Sequence, residues 1–425
     1  MAKEEKKAPK LRFNGYTNDW ERKKLGILIT RVKSYPLSRS VEVKKETDVK
    51  YVHYGDIHTN IADEIDKNNN LPFINEIYKE YDELKLDDVI VADASEDYKG
   101  IADAAVIISN LPYTIIAGLH TIALRPTSLI KGYFLYHIFK TENFKRFGYK
   151  IGTGLKVFGI SYNNLAKYKV YYPQEIEEQK KIIGILSNLT NSINLHERKC
   201  EELALIKKAL LQKLFPKKDE FKPEVRYKNF SDAWEQRKLG EILSDLYNGQ
   251  TPSRNVKSYW KGDIPWLTSG ELNHGIVEET IEKISESGKK AANLRLIPSG
   301  TIVIAITGLE APGTRGNCAI LGIDTTVNQS VMALVVKNNI DTQFIFQWYK
   351  KIGEEYGIRY TQGTKQQSYN YDLVKILPIT IPTTTEEQQK IGSFFNQLDS
   401  LIALHQRKLE KLKQLKKFLL QNMFI

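Results

Sequence analysis

The chain has 425 residues, of which 41% are hydrophobic and 27% are charged. This length predicts two or three domains, and the composition excludes a mainly disordered chain, a collagen and a small disulfide scaffold. The formal net charge of +11 favours a polyanionic partner. Cys200 and Cys318, the only cysteines, indicate a reducing compartment. The charged N-terminus MAKEEKKAPK has no apolar segment after it, and we expect a cytoplasmic protein.

Two similar segments open the two halves of the chain. RFNGYTNDWERKKLG, residues 12–26, aligns with RYKNFSDAWEQRKLG, residues 226–240, at a shift of 214 positions. Further along, YVHYGDI at residues 51–57 occupies the place of WLTSGEL at residues 266–272. These matches predict that the chain contains an internal duplication whose middle parts have diverged.

One uncharged stretch, residues 104–124, is long enough to span a membrane. It contains Ser109, Asn110, Pro112 and His120, which argue against a membrane helix. AAVII and TIIAGLHTIAL, with NLPY between them, predict two buried strands and a turn instead. In the second half, TIVIAIT and VMALVVK predict buried strands, and FIFQWYKKIG predicts a short amphipathic helix.

The ends of the two halves match best. Residues 173–215 align with residues 382–424 without a gap, and 20 of 43 positions are identical. Apolar residues recur there in alternating steps of four and three, which predicts two long helices with a coiled-coil seam. A helix of about 39 residues is roughly 60 Å long. The predicted seam residues are Ile182, Leu186, Leu189, Ile193, His196, Leu203, Ile391, Phe395, Leu398, Ile402, His405 and Leu412.

The seam contains polar residues at the same positions in both copies, namely His196 with His405 and Lys207 with Lys416. Such residues either fix the register of the helix pair or extend their polar ends to water. The two helices are expected to pair within the chain. Antiparallel pairing, which we predict, would place the globular parts at opposite ends around a pseudo-two-fold axis; parallel pairing would place them side by side. Thr385 is the predicted cap of the second helix.

The sequence therefore predicts an α/β (α+β) fold in which two globular domains are separated by a pair of long helices. A charged N-terminal tail covers residues 1–11 and a proline-bracketed linker covers residues 216–225. The globular domains cover residues 12–172 and 226–381, and the long helices cover residues 173–215 and 382–425.

Motifs for catalysis are incomplete. NLPY at residues 110–113 and NLPF at residues 70–73 lack the first proline of the loop that grips a flipped base in amino-methyltransferases. The glycine-rich residues 308–315 lack the lysine of a phosphate loop, and the histidines and cysteines have no zinc-ligand spacing. We therefore expect no catalytic residue and no metal. An enzyme with degenerate motifs and a coiled-coil adaptor protein are the alternative hypotheses.

The chain resembles the specificity subunit of type I restriction-modification enzymes. The resemblance rests on the duplicated architecture and on WERKKLG, WEQRKLG, GDIPWLTSGEL, IPSGTIVIAITG, VNQSVMAL and the segment IPTTTEEQQKIGSFFNQLDSLIALHQRKLEKLKQLKKFLLQNMF. The first half departs from this pattern, because Ile-Pro-Trp does not precede its YVHYGDI segment and HTIAL replaces NQSVMAL.

The resemblance implies that each globular domain is a target-recognition domain that reads half of a bipartite, asymmetric DNA site. It implies that the helices act as a spacer and as the docking surface for two methyltransferase subunits, and that restriction (helicase-nuclease) subunits join them. S-adenosylmethionine, ATP and magnesium would belong to those partners, with no cofactor in this chain. A modification-only system is the alternative within the family.

Lysine and arginine can anchor phosphates, whereas amide, hydroxyl and guanidinium groups can read base edges. The candidate DNA-binding residues of the first domain are His53, Tyr54, Asp56, His58 and Lys156. Those of the second are Thr251, Ser253, Arg254, Thr268, Ser269, Glu271, Asn273, Arg315, Gln362, Lys365 and Gln366. Candidate partner contacts on the helices are Arg198, Lys199, Arg407 and Lys408.

Overall fold

The computed structural model describes residues 8–75, 80–96, 100–152, 158–217, 220–309, 313–360 and 367–425. The chain forms two compact units. The first unit combines the chain up to Leu195 with Lys408–Ile425, and the second is His196–Arg407. Each long helix therefore contributes one part of its length to each unit, so the compact units do not end where the long helices begin.

The first unit contains a five-stranded sheet in the order β2-β11-β7-β9-β5 and a four-stranded sheet in the order β10-β4-β6-β3. Its opener β1 pairs antiparallel with β13. Its strands are β1 Glu21–Lys24, β2 Ile29–Val32, β3 Glu42–Val43, β4 Val49–Val52, β5 Glu64–Ile65, β6 Phe73–Ile74, β7 Val89–Ala92, β8 Ala94–Ser95, β9 Ala104–Ile107, β10 Thr114–Ala117, β11 Thr121–Pro126, β12 Phe158–Gly159 and β13 Lys169–Tyr172. Its helices are α1 Leu25–Leu28, α2 Tyr54–His58, α3 Gly132–Phe139, α4 Glu142–Ile151, α5 Tyr162–Leu165 and the beginning of α6 Ile176–Leu214.

The second unit repeats this plan. Its five-stranded sheet has the order β15-β22-β19-β20-β17, a smaller sheet has the order β18-β16-β21, and β14 pairs with β23. Its strands are β14 Glu235–Lys238, β15 Leu243–Asn248, β16 Ile264–Leu267, β17 Ile276–Val277, β18 Glu282–Ile284, β19 Ile302–Ala305, β20 Cys318–Leu321, β21 Thr326–Val327, β22 Val331–Val336 and β23 Pro378–Ile381. Its helices are α7 Leu239–Ile242, α8 Glu286–Ala291, α9 Thr342–Arg359, α10 Tyr371–Ile376 and most of α11 Thr385–Asn422.

The five-stranded sheets correspond strand by strand, so the diverged middles share one topology. This confirms the predicted α/β fold with an internal repeat. The predicted strands TIVIAIT and VMALVVK are β19 and β22, and FIFQWYKKIG lies within α9. The prediction of a single strand for TIIAGLHTIAL is wrong, because the chain turns between β10 and β11. His120 adopts a φ of 56° at this turn, in the left-handed region.

The stretch that was long enough to span a membrane forms β9, β10 and the beginning of β11. Among the residues that the structure describes, no helix combines the length and the apolar composition that a membrane crossing requires. The uncharged character of this stretch instead follows from burial, since all four residues of β9 and three of the four in β10 lie in the core.

The predicted long helices are confirmed as α6 and α11, with 39 and 38 residues. The predicted cap of the second helix is wrong by one residue. The hydroxyl group of Thr384 accepts a hydrogen bond from the backbone nitrogen of Glu387 at 3.4 Å, whereas the hydroxyl group of Thr385 donates to the carbonyl of Asn339 at 2.8 Å. The sequence alone does not show which residue caps the helix, because Thr384 and Thr385 are adjacent and either hydroxyl group suits a cap.

A buried glutamate fixes the start of α6 to the opener of the first unit. Arg12 donates two hydrogen bonds to the carboxylate of Glu178, at 2.7 and 2.8 Å, and the indole of Trp20 donates a third at 3.3 Å. Glu178 is 1% exposed. A buried carboxylate needs such partners, because an unpaired charge in the protein interior is strongly unfavourable.

The second unit repeats this arrangement. Glu387 of α11 accepts hydrogen bonds from Arg226 at 2.7 and 2.8 Å and from the indole of Trp234 at 3.3 Å. The next residue in each helix, Gln179 or Gln388, bonds to the backbone at the start of α3 or α9, respectively. The matched openers and the repeated Glu-Glu-Gln therefore have one structural cause, since together they orient each long helix on its globular body.

The ends of the predicted seam belong to the cores of the units. Ile182 and Leu186 of α6 pack in the same buried cluster as Leu419 and Met423 of α11. In the second unit, Ile391 and Phe395 of α11 pack with Leu214 and Phe215. These seam positions therefore pack with residues of the other long helix, as the periodicity predicts. They also bury each helix against a sheet-and-helix body, and that packing preserves the same apolar spacing.

Glu178→Ala is expected to destabilise the first unit by about 3 kcal/mol, because Arg12 and Trp20 would lose their buried acceptor. The matched control is Glu177→Ala, which removes an exposed carboxylate one residue earlier and is expected to change stability by less than about 0.5 kcal/mol. Hydrogen exchange of the first turns of α6 during urea unfolding measures both effects. Equal protection in the two variants would contradict the proposed role of Glu178.

Candidate nucleic-acid interface and helix seam

The candidate residues of the first unit surround a capped turn at the end of β4. The backbone nitrogen of His53 donates to the Asp56 carboxylate at 2.8 Å, and the ring nitrogen Nδ1 of His53 accepts from the backbone of Gly55 at 3.2 Å. This reciprocal pair is a capping box that begins α2. Asp56 is completely buried and also accepts a hydrogen bond from Arg39 at 2.8 Å.

The second unit carries the equivalent turn at the end of β16. The Glu271 carboxylate accepts hydrogen bonds from the backbone nitrogen and the hydroxyl group of Thr268, at 2.9 and 2.7 Å. Its other oxygen accepts from the backbone nitrogen of Ile281 at 2.7 Å. The match between YVHYGDI and WLTSGEL thus reflects a shared capping box. The sequence contained this signal as a cap residue followed three positions later by an acid.

A second loop meets the capped turn in each unit. In the first unit, β10 runs parallel to β4, and the ring of Tyr54 lies 5.3 Å from the ring of His120, in the loop before β11. In the second unit, β21 runs parallel to β16, and the backbone nitrogen of Asn328, in the loop before β22, donates to the carbonyl of Leu267 at 2.9 Å, directly before the capped turn. Gln329 of the same loop accepts a hydrogen bond from the hydroxyl group of Thr251. The same two loops therefore form a polar surface in both units.

The surface of the first unit is rich in histidine. The ring of Tyr54 lies 4.5 Å from His53 and 5.8 Å from His58. His58 bonds to the carbonyl of Ala94 at 2.9 Å through Nε2. Burial, followed by the charge of Arg39, lowers the pKa of His53. His120 was not among the candidates, although its place in the HTIAL segment is a sequence signal that could have identified it.

His120 also contacts a carboxylate, with its Nδ1 3.1 Å from Asp93. His58 makes a similar contact with Asp103 at 3.5 Å. These imidazoles have aromatic faces and ring nitrogens that suit contact with bases.

The surface of the second unit has different chemistry. Arg254 forms a two-bond ion pair with Glu282, and its guanidinium carbon lies 3.5 Å from the ring centre of Trp260. Trp260 in turn donates to the carbonyl of Ser253 at 3.2 Å. Asn273 accepts from the backbone of Gly275 at 2.9 Å, after the capped turn that contains Ser269.

Arg315 is placed elsewhere in the second unit. It donates to Gln367 at 3.1 Å, and its aliphatic chain lies against Gly357 of α9. The structure thus brings Thr251, Thr268, Ser269 and Glu271 into one region of the second unit. Arg315 instead contacts Gln367 and α9, in a different region. Four candidates lie outside the described residues, namely Lys156, Gln362, Lys365 and Gln366. DNA contact stays a prediction for every candidate.

The helix seam contains a buried charge cluster in the second unit. Lys207 of α6 donates to Asp399 of α11, and Asp399 also accepts from Gln347 at 2.9 Å and Lys350 at 3.2 Å. Lys207 is only 9% exposed, so it does not extend to water as one of the two interpretations supposed. Burial, followed by the charge of Lys350, lowers the pKa of Lys207.

The first unit holds the equivalent lysine differently. Lys416 of α11 donates to the hydroxyl group of Thr190 at 2.7 Å. Thr190 and Asp399 occupy equivalent positions of the duplication, so this carboxylate has no counterpart in α6. The negative charges near Lys416 come instead from Glu64 and Asp63, at the start of β5.

The contacts between the helices are antiparallel within the second unit. His196 lies 2.7 Å from His405 between their Nδ1 atoms, and Lys207, further along α6, contacts Asp399, which is earlier in α11. The predicted direction of pairing is therefore confirmed there. Over the described ranges, no group of three or more His, Cys, Asp or Glu side chains is arranged to hold a metal ion.

Comparison with known proteins identifies the family. Two segments of the chain, residues 17–205 and 231–414, match the family described as "Type I restriction modification DNA specificity domain". The chain belongs to this family. It carries two copies of the DNA specificity domain, and each copy extends from a globular body into the long helix that follows.

Individual relatives agree with this assignment. The type I restriction enzyme MjaIX specificity subunit of Methanocaldococcus jannaschii is 29% identical over 196 residues, which are 45% of this chain and 44% of that protein. The EcoR124I/EcoR124II specificity subunit of Escherichia coli is 27% identical over 169 residues, which are 39% of this chain and 41% of that protein. The chain thus spans less than half the length of these curated relatives.

The fold of this type I specificity protein is also similar to that of a solved structure. The match to the crystal structure of the type I restriction-modification S subunit from M. genitalium has a TM-score of 0.63. It covers 98% of this chain and 99% of the M. genitalium chain. The sequence identity is 16%, so this likeness concerns the fold alone.

Asp399→Asn is expected to lower the stability of the second unit at pH 7 and to lose this effect in acid. Burial raises the pKa of Asp399, but the charges of Lys350 and Lys207 and the hydrogen bonds from Lys207 and Gln347 lower it overall. A carboxylate whose pKa is lower in the folded state stabilises above its unfolded pKa of about 4, and this contribution disappears as pH falls through the folded value.

Urea unfolding of both proteins from pH 7 to pH 3 measures the effect, with Asp263→Asn as a control at an exposed aspartate. The difference between wild type and Asp399→Asn should shrink below about pH 4. A difference that stays constant with pH would contradict the charge cluster.

Proposed function

We propose that this chain is the DNA specificity subunit of a type I restriction-modification complex and that its two target-recognition domains read the two halves of a bipartite, asymmetric DNA site. The observation that carries the proposal is the duplicated DNA specificity domain with two chemically different polar surfaces. Both surfaces form where a capped turn meets a neighbouring loop, so position is shared while the side chains differ.

The difference between the surfaces supports an asymmetric site. The first presents Tyr54, His58 and His120 above the buried His53, whereas the second presents hydroxyl and amide groups beside Arg254. Hydrogen-bonding groups of different geometry select different base edges in the major groove. Two such surfaces on one chain would read two unlike half-sites, and the long helices would hold the recognition domains at a fixed spacing.

The helices also carry repeated apolar residues that are exposed. Leu195 of α6 and Leu404 of α11 are equivalent in the duplication, and both are exposed. The same holds for Ile206 and Leu415. Exposed apolar positions that both copies retain are typical of a surface that binds a partner. Their two-fold repetition supports docking of two identical methyltransferase subunits, with restriction subunits joining the assembly.

The chemistry would belong to those partners. In this proposal the chain itself is non-catalytic and binds no cofactor, while S-adenosylmethionine, ATP and magnesium act on the methyltransferase and helicase-nuclease subunits in the cytoplasm. A modification-only complex would use the same specificity subunit without restriction subunits. The net charge of +11 supports binding to duplex DNA in either case.

Genome-wide mapping of methylated adenines, with and without this gene, tests the proposal. Deletion should remove one two-part motif with a constant gap, and exchange of residues 27–170 for the corresponding segment of another family member should change one half-motif only. Retention of every methylated motif after deletion would contradict the function. The purified chain, given DNA and labelled S-adenosylmethionine, should transfer no methyl group; turnover would favour the enzyme alternative.

Leu195→Glu and Leu404→Glu are each expected to weaken the docking of one methyltransferase copy at least tenfold, because a charge would replace an apolar contact. Native mass spectrometry of the reconstituted complex should then find one methyltransferase subunit per chain instead of two. The matched control is Gln406→Glu, which adds the same charge at an exposed polar position of α11. Two bound copies in both leucine variants would exclude this surface.

A further inference from the structure

One arginine is retained at the same place in both recognition domains. Residues 36–57 align with residues 251–272 without a gap at a shift of 215, the frame that also superimposes the two capped turns. Ser38-Arg39 thereby corresponds to Ser253-Arg254, and Gly55 corresponds to Gly270. The surrounding side chains differ, so this arginine persisted while most of its neighbours changed.

In the first unit, Arg39 lies directly beside the capped turn. Its two terminal nitrogens donate to Glu42 at 2.7 Å and to Asp56 at 2.8 Å. The side chain remains 45% exposed. A Cβ atom added at Gly55 would stand 3.1 Å from the Nη2 atom of Arg39, so the glycine leaves the guanidinium uncovered.

In the second unit, Arg254 has different carboxylate support. Lys257 replaces Glu42 at the aligned position, and Glu282 of β18 supplies the carboxylate instead, with bonds of 2.5 and 2.7 Å. Stacking on Trp260 holds the guanidinium plane, and 54% of the side chain stays exposed. Two unrelated sets of neighbours thus produce an exposed arginine fixed by a carboxylate. Asp56 belongs to the capped turn itself, whereas Glu282 follows Ile281, whose backbone nitrogen donates to Glu271 of the capped turn.

Stability accounts for the retention of Arg39 in part, because this arginine compensates the buried carboxylate of Asp56. It does not account for the retention of Arg254, because the exposed ion pair of Arg254 with Glu282 contributes only about 0–1 kcal/mol. A phosphate ligand is also disfavoured, because Glu42 and Asp56 already neutralise the charge of Arg39 and would repel an anion. A neutral ligand with two adjacent acceptors fits better. A guanidinium has five N–H donors, and the ion pairs use two of them.

We propose that Arg39 and Arg254 each read a guanine in the major groove, one in each half of the DNA site. Guanine presents O6 and N7 side by side, and arginine contacts both with parallel N–H groups. The carboxylates act as positioning residues that fix the guanidinium before DNA binds. This inference rests on the proposed function and adds that both half-sites contain a guanine.

The test uses the complete complex in its host and methylation mapping as the readout. Arg39→Gln should relax or abolish the requirement for one guanine in one half-motif and leave the other half-motif unchanged; Arg254→Gln should do the reverse. Methylation at the original site should fall about tenfold or more. The unchanged half-motif reports that the rest of each variant chain is folded and assembled.

Two further variants separate the alternatives. Arg39→Lys keeps the charge but loses the paired donors, so it should behave like Arg39→Gln if a base is read and like wild type if a phosphate is bound. Arg295→Gln is the matched control. Arg295 is 50% exposed, pairs with Asp245 at 2.6 Å and lies 4.2 Å from the ring of Tyr247, but it is not in the aligned segment. It should leave the motif unchanged.

For variants whose complexes give no methylation, the binding of the purified complex to modified duplexes is measured instead. Replacing the relevant guanine by 7-deazaguanine removes the N7 acceptor and should weaken wild-type binding about tenfold, whereas Arg39→Gln should be insensitive to the replacement. Equal sensitivity in both proteins would overturn the inference. So would a uniform loss of methylation without change of motif, or a change in both half-motifs. If wild type showed no two-part motif, the proposed function itself would fail.

Discussion

The two buried glutamates at the starts of the long helices determine how the rest of each unit is built. Glu178 and Glu387 each accept hydrogen bonds from an arginine and a tryptophan of the opener, which precedes the globular body in the sequence. A buried carboxylate tolerates no loss of these partners. The opener, the last strand and the helix are therefore fixed to one another, and this frame permits the residues between them to vary without altering the direction of the helix.

Variation is concentrated on one surface of each body. The five-stranded sheets keep the same order, the capped turns keep the hydrogen bond from the cap backbone nitrogen to the carboxylate, and the polar groups around those turns differ. Family membership places this variation in a DNA specificity domain. Packing explains why the sheets agree while the loops differ. A changed core residue alters the fold, whereas a changed side chain on an exposed loop alters only what the loop can bind.

The sequence predicted the parts of the fold that follow from periodicity and duplication. Steps of four and three in residues 173–215 identified α6, and the gapless repeat identified α11. It could not distinguish a helix-to-helix seam from the packing of Ile182 or Phe395 into a domain core, because both require the same apolar spacing. It also missed the split between β10 and β11, where His120 adopts a left-handed conformation that its residue type permits but does not indicate.

At the candidate interface, the sequence identified the two aligned turns. It predicted that Asp56 and Glu271 contact DNA, but it did not show that both residues also have a structural role. Both carboxylates complete a capping box, and only three-dimensional proximity reveals that Arg39 belongs with Asp56. This contact joins residues 17 positions apart in the sequence and therefore has no local pattern.

Asp399 is one of the positions at which the two long helices differ, and it has a consequence for how the two halves of the chain pair. In a homodimer of the first half alone, Lys207 of one copy would lie opposite Thr190 of the other copy, which has an uncharged hydroxyl group. Because Asp399 lies opposite Lys207, pairing of α6 with α11 places a carboxylate beside this lysine. Pairing of two α6 helices would not do so, and the difference favours the pair found within one chain. Replacement of the second half by a duplicate of the first would therefore exchange the Asp399 carboxylate opposite Lys207 for the hydroxyl group of Thr190.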